Sequence, residues 1–150
     1  MPRPLTEREA QEFLAAPHVG VLSVASDDER PPLTVPVWYD YQPGGQLTFF
    51  TGTQGRTARK TRLIDEAGVL SLCVQRDEFP YRYVTVEGTV VKVDRPPTVE
   101  QVLAIVRRYL PEEMAQGFSA GELGNPDTKL MLYTVRPDRW LSFDFGDDAG

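Results

Sequence analysis

Residues 33–51 read LTVPVWYDYQPGGQLTFFT, and this stretch decides the fold class. From Leu33 to Tyr41 it is dense in β-branched and aromatic residues, the types that suit a pleated, half-buried surface. Pro43-Gly44-Gly45 is a turn signal, and Gln46-Leu47-Thr48-Phe49-Phe50-Thr51 then alternates as another strand does. Pro36 interrupts the first strand. A proline cannot donate to a strand ladder, so it marks an edge, a bulge or a place where something else docks on the backbone.

Toward the N-terminus, Val19 to Ala25 reads as a strand and Asp27-Asp28-Glu29-Arg30 as its hairpin loop. The first three strands therefore read as a meander. Before them, Thr6 and Glu9 form a capping box, Ala10, Phe13 and Leu14 share one apolar face, and Pro17 closes a short packing helix. Toward the C-terminus, a helix is expected from Thr57 to Glu66, with Leu63, Ile64 and Ala67 as contacts and Gly68 as its stop. Strands follow at Val69 to Gln75 and at Tyr83 to Val93. After Pro96-Pro97, the residues Val99, Val102, Leu103, Val106 and Leu110 recur at helical spacing. Leu130 to Val135 and Trp140 to Phe145 read as two closing strands around Arg136-Pro137-Asp138. The expected fold is mainly β with helices: antiparallel strands in a closed or nearly closed barrel whose ends the helices plug. One domain spans 1–150, with its core at 9–145 and a loose tail at 146–150.

Composition narrows the function classes. A net charge of −6 over 150 residues argues against sequence-independent nucleic-acid binding, which needs a broad basic surface. No apolar run approaches the ~20 residues of a membrane-spanning helix, and the N-terminus lacks the apolar core of a secretory signal. A cytoplasmic protein is expected. Cys73 and His18 are each the sole residue of their type, which leaves no intrachain disulfide, no multi-cysteine zinc site and no two-histidine metal site. Cys73 reads as a core thiol, and His18 as structural.

The chemically informative segment is Gly55-Arg56-Thr57-Ala58-Arg59-Lys60-Thr61-Arg62, four basic residues at the start of a helix in an acidic chain. Cations there oppose the helix dipole unless an anion compensates, and helix N-termini bind anions well. Thr57 suits an N-cap and hydroxyl donor, and Lys60 with Arg56 or Arg59 could reach one phosphate. A solvated basic face is the plainer reading. Phe50 and Thr51 lead into this helix, and an aromatic edge beside a hydroxyl suits a heteroaromatic ring, although strand aromatics are more often core. Phe79-Pro80-Tyr81-Arg82-Tyr83-Val84 places polar-tipped aromatics at a strand entrance, as pockets and interfaces do. No nucleophile elbow, Walker loop or dinucleotide fingerprint is present. Any hard chemistry would then belong to a cofactor.

The order of these pieces resembles the pyridoxamine 5′-phosphate oxidase-like, FMN-binding split-barrel superfamily, including its flavin- and deazaflavin-dependent oxidoreductase branch. The resemblance runs from Glu9 to Phe145. It is carried by Val19-Gly20-Val21-Leu22-Ser23-Val24, Pro36-Val37-Trp38-Tyr39, Leu47-Thr48-Phe49-Phe50-Thr51, Ala58-Arg59-Lys60-Thr61-Arg62-Leu63, Arg82-Tyr83-Val84-Thr85-Val86-Glu87-Gly88 and Arg136-Pro137-Asp138-Arg139-Trp140-Leu141-Ser142-Phe143. It implies a split β-barrel working as a homodimer, with two cofactor sites in the interface and a small-molecule substrate. By motif position it implies that Arg59 and Lys60 hold the phosphate and that Phe50 and Thr51 lie beside the ring and ribityl chain. Pro36, Val37 and Trp38 then run along the ring, and Tyr83 and Phe143 approach it, partly from the second subunit.

Two departures stand out. Ala58 replaces a serine common in relatives, leaving Thr57 and Thr61 as the nearest hydroxyls. The chain ends Phe143-Asp144-Phe145-Gly146-Asp147-Asp148-Ala149-Gly150, where authentic pyridoxine phosphate oxidases continue into an Arg-x-His substrate segment, so oxidation of pyridoxamine phosphate is not expected. The expected activity is hydride transfer on a small unsaturated substrate. FMN is preferred for its smaller anionic tail, with coenzyme F-420 as the alternative. The competing readings are a non-catalytic binder of flavin, haem or another planar ligand, and an interaction protein that kept the barrel and lost the cofactor.

Overall fold

Side chains that point in turn to the interior and to the outer face build strands such as those over 47–52 and 69–76. A computed structural model describes residues 1–52 and 59–146. Among them are β1 (Gly20–Val24), β2 (Leu33–Val37), β3 (Tyr39–Tyr41), β4 (Leu47–Gly52), β5 (Val69–Arg76), β6 (Arg82–Asp94) and β7 (Leu130–Asp144), with helices α1 (Glu7–Ala15), α2 (Arg59–Ala67), α3 (Val99–Val106) and α4 (Glu112–Gly124). In β5, Leu70, Leu72 and Val74 are buried while Ser71 and Cys73 face outward. Cys73 is therefore half-buried on the outer face and not in the core, because strand alternation assigns the interior to its neighbours.

All strand pairs are antiparallel and follow the order β2-β1-β5-β6-β7-β4-β3. β2 and β3 occupy opposite edges of this sheet, yet only Trp38 separates them in sequence. Consecutive Cα atoms are 3.8 Å apart, so the two edges approach within about 7.6 Å at Trp38. The sheet therefore closes on itself there as a split barrel. This corrects two sequence expectations. The strand read from Leu33 to Tyr41 is broken in the middle, and β2 is not a neighbour of β4, so the first strands are not a meander. The break comes with a contact distant in sequence: the Tyr39 N–H donates to the Tyr109 hydroxyl at 3.2 Å.

β7 is one continuous strand where two were expected. The register between β6 and β7 shifts at Glu87/Gly88, where Gly88 faces Pro137 and Glu87 faces Arg139. Asp138 is thus the extra residue of a bulge, and a bulge tolerates the missing N–H of Pro137. Gly88 allows the strands to meet there, since a Cβ would stand 2.4 Å from Val135 Cγ1 and 2.7 Å from the Arg136 carbonyl oxygen.

The barrel interior is filled by residues such as Leu22, Tyr39, Phe49, Leu72, Val86 and Tyr133. Phe49 and Tyr133 stack with centroids 5.3 Å apart. The expected capping box forms in α1: the Thr6 side chain accepts from the Glu9 N–H, and the Glu9 carboxylate accepts from the Thr6 N–H. Ala10 and Leu14 enter the core from α1, and Leu63 and Ile64 enter it from α2, which stops at Gly68 with φ +69°. A second, smaller core gathers Val102, Leu103 and Val106 of α3, Ala115 of α4 and Leu130. α4 was not anticipated from the sequence.

Candidate functional site

The closure at Trp38 leaves backbone without strand partners. Among the described residues, β2 pairs only with β1, and β4 pairs with β3 only through Leu47, Thr48 and Phe49, so Phe50, Thr51 and Gly52 have one edge without a described partner. Where the chain crosses between sheet edges, β2 and β4 diverge. A cavity of about 340 Å³ opens there, lined by Pro36, Val37 and Trp38 on one side and by Phe50, Thr51 and Gly52 on the other. Ligand sites of ~300–1,000 Å³ usually combine such apolar walls with a few polar groups.

The remaining walls come from Lys60 on α2, Phe118 and Glu122 on α4, and Val19, Thr128 and Leu130. Aromatic packing fixes two of these walls. Trp38 stacks almost parallel on Tyr109, with centroids 5.0 Å apart at 6°, and Phe118 contacts both Trp38 and Phe50 at 5.8 and 6.3 Å. The Tyr109 hydroxyl also donates to the His18 carbonyl at 2.7 Å, so one side chain anchors the strand break and the indole. Burial pushes the Tyr109 phenol up and the His18 imidazole down from their ordinary values.

Two polar groups point to an occupant. Thr51 Oγ1 is buried, with the residue 4% exposed, and makes no hydrogen bond among the described residues. An unpaired buried hydroxyl costs about 1–3 kcal/mol unless something satisfies it. Lys60 is half-buried, and burial lowers its ammonium pKa below the ordinary lysine value. No carboxylate pairs with it among the described residues, so an anion in the cavity would stabilise its charge.

The other basic residues of this segment are placed differently. Arg59 donates to Ser26 Oγ at 2.9 Å and lies 3.6 Å from Asp28, which Ser26 also hydrogen-bonds. Arg62 pairs with Asp27 at 2.6 Å and with Glu66 at 3.4 Å. The β1–β2 loop thus neutralises one side of α2 and leaves Lys60 on the side that faces the cavity. Thr61 is buried within α2 and is not among the lining residues. Arg56 and Thr57 lie outside the described residues.

Tyr83 and Phe143 are directly opposite one another on β6 and β7, away from this cavity and on the outer face of the barrel. Cross-strand registers place Pro36, Val21, Cys73, Thr85 and Leu141 in one row across that face. Val21 and Leu141 are 41% and 46% exposed, and Val19, at the cavity wall, is 56% exposed. An apolar surface therefore runs from the cavity mouth across five strands.

Of the residues that the sequence groups as candidates, Pro36, Val37, Trp38, Phe50, Thr51 and Lys60 line this one cavity. Phe118 and Glu122 are missing from that group because α4 is not legible, and Thr128 because it lies in the segment between α4 and β7. Gly117, Gly121 and Gly124 obscure that helix, although Pro111 followed by Glu112-Glu113 is a helix-start signal that could have found it.

A protein-family model described as pyridoxamine 5′-phosphate oxidase matches residues 6–138. Among solved structures, an F420 reductase is 26% identical with a TM-score of 0.66, over 87% of this chain and 94% of that one. An FAD-binding protein from Mesorhizobium loti is 19% identical with a TM-score of 0.64, over 96% of each chain. A heme-binding protein from Mycobacterium smegmatis is 20% identical with a TM-score of 0.61, over 92% of this chain and 53% of that one. The last two show a shared fold. A comparison with curated proteins finds no match. Among the described residues, no helix is long and apolar enough to cross a membrane, and no group of three or more His, Cys, Asp or Glu side chains could hold a metal ion.

Proposed function

The chain belongs to the pyridoxamine 5′-phosphate oxidase family, and from that premise we propose a flavin-type oxidoreductase that holds FMN, or the deazaflavin coenzyme F-420, in the seam cavity of a homodimer. The observation that carries this reading is the convergence of aromatic walls, two strand edges without a described partner, the unpaired Thr51 hydroxyl and the half-buried Lys60 in one cavity. The residues present fit such a group. Lys60, with Arg56 and Thr57, would hold its phosphate; Thr51 Oγ1 would bond its polar chain; Pro36, Val37, Trp38 and Phe50 would flank its ring.

When bound, the cofactor supplies hydride transfer to or from a small unsaturated substrate. The protein positions the ring and excludes water, through Trp38 held by Tyr109 and through Phe118 closing the wall. Arg59 acts at one remove, tying α2 to the β1–β2 loop so that Lys60 keeps its place. A second copy seated on the outer apolar face would cover Val21 and Leu141 and bring its Tyr83 and Phe143 toward the cavity mouth.

Titration of the purified protein with FMN and with coenzyme F-420, followed by absorbance and fluorescence, tests the reading. Tight binding of one supports it, and binding of neither overturns it. Lys60→Ala should weaken that binding about tenfold or more, the usual loss for a charged hydrogen bond. The affinity for the anionic cofactor should also fall as pH rises through the lowered Lys60 pKa, earlier than for an ordinary lysine, and Lys60→Ala should remove that dependence. Turnover with enones or quinones separates an enzyme from a non-catalytic binder. For haem, His18 offers little, since its Nε2 lies 3.0 Å from the Phe13 carbonyl oxygen and His18 is not among the lining residues.

A further inference from the structure

Of the described residues that line the seam cavity, Lys60 and Glu122 carry charge, and the proposed function uses only the first. Glu122 lies in the last turn of α4, a helix whose sequence contains no Lys or Arg. A carboxylate there faces the negative end of the helix dipole, which disfavours it. No hydrogen bond or ion pair relieves it among the described residues, and Lys60 does not reach it. Glu122 therefore offers the cavity a water-accessible acceptor that no donor among the described residues uses, on the same lining as the buried and unpaired Thr51 Oγ1. One ligand that presents hydrogen-bonding atoms away from its anionic group would engage both, satisfying the buried hydroxyl and replacing water at the carboxylate. A second anionic group near Glu122 would instead be repelled.

We propose that Glu122 is a specificity-determining residue of this cavity, its carboxylate accepting a hydrogen bond from an N–H on the polar edge of the bound ring. The inference rests on the proposed function. FMN and the deazaflavin both carry such a donor, the imide N3–H, so Glu122 selects for the class of ring and against planar ligands that lack it or bear a carboxylate there. α4 then has a purpose beyond packing: it delivers the acceptor that the barrel strands do not supply.

The test pairs a change in the ligand with a change in the protein. FMN and N3-methyl-FMN are titrated against the wild type, Glu122→Gln and Glu122→Ala; if the deazaflavin is the cofactor that binds, its N3-methyl analogue takes the same place. In the wild type, methylation should weaken binding about tenfold or more, as loss of a charged hydrogen bond does. In Glu122→Ala the two ligands should bind within about twofold of each other, with Glu122→Gln between. An equal methylation penalty in wild type and Glu122→Ala overturns the inference and leaves the proposed function standing, as does the absence of any penalty in the wild type. A wild type that binds neither cofactor overturns both. Because each comparison is made within one protein, a general loss of stability in a variant cannot mimic the expected result.

Discussion

The two hydrophobic cores of this molecule hold different things in place. The barrel core draws on both helical plugs and on all seven strands, and its members are tied by long antiparallel ladders. The core under α3 and α4 is built from five buried residues, with Trp38, Phe50 and Phe118 packed against it. Those three aromatics are also cavity walls. Stability therefore resides in the barrel, whereas the shape of the site depends on the smaller cluster. Ligand-binding segments are commonly drawn from the less stable parts of a structure.

That division can be broken most directly at Phe49. Phe49→Ala, in the barrel core, should destabilise the protein by about 3–5 kcal/mol in denaturant unfolding and remove binding along with the fold. Had it left the fold intact, the barrel would not be the source of stability. The outer face comes next. Leu141→Asp places a charge in the proposed subunit interface, at a cost of several kcal/mol to association. Light scattering should report a monomer, and Cys73, in the same row, should react faster with thiol reagents. A dimer of unchanged affinity would move the interface elsewhere.

The smaller core should behave differently. Tyr109→Phe keeps the ring stacked on Trp38 but removes the hydroxyl that takes the Tyr39 N–H and donates to the His18 carbonyl. It should cost about 1 kcal/mol of stability and weaken cofactor binding more than that loss explains. Equal effects on folding and binding would merge the two regions into one.

The smallest effect concerns acid. Arg3, followed by the Thr6 backbone N–H, holds the Glu9 carboxyl down at about 2. A carboxylate whose folded pKa lies below its unfolded value contributes stability above the unfolded value, and that contribution is lost as pH falls. The melting temperature should therefore drop between about pH 5 and pH 2, and Glu9→Gln should flatten that part of the profile while leaving the cavity unaffected.

Much of the barrel was legible because its signals are local. Thr6 and Glu9 form their capping box, Gly68 ends α2 with a positive φ, and β1, β4, β5 and β6 lie where the sequence reads as strand, although Cys73 of β5 faces outward instead of into the core. The other failures have one physical origin: the sequence feature depended on a distant partner. Trp38 looks like strand until Tyr109 takes the neighbouring N–H, and Arg136-Pro137-Asp138 looks like a turn until a bulge opposite Gly88 absorbs it. α4 looks like loop because three glycines dilute its apolar face, and packing against α3 and Leu130 makes it a helix.

The sequence by itself determined the strand content, the helical plugs and a basic helix start beside an aromatic strand end, since propensity, capping and periodicity act over a few residues. Only the tertiary structure decided which of those basic residues is available. Arg59 and Lys60 are adjacent in the chain, but each step around a helix turns about 100°. The β1–β2 loop happens to cover the side that carries Arg59 and Arg62, so Lys60 alone of the described basic residues in this helix faces the cavity. No local pattern in the sequence records where that loop lies.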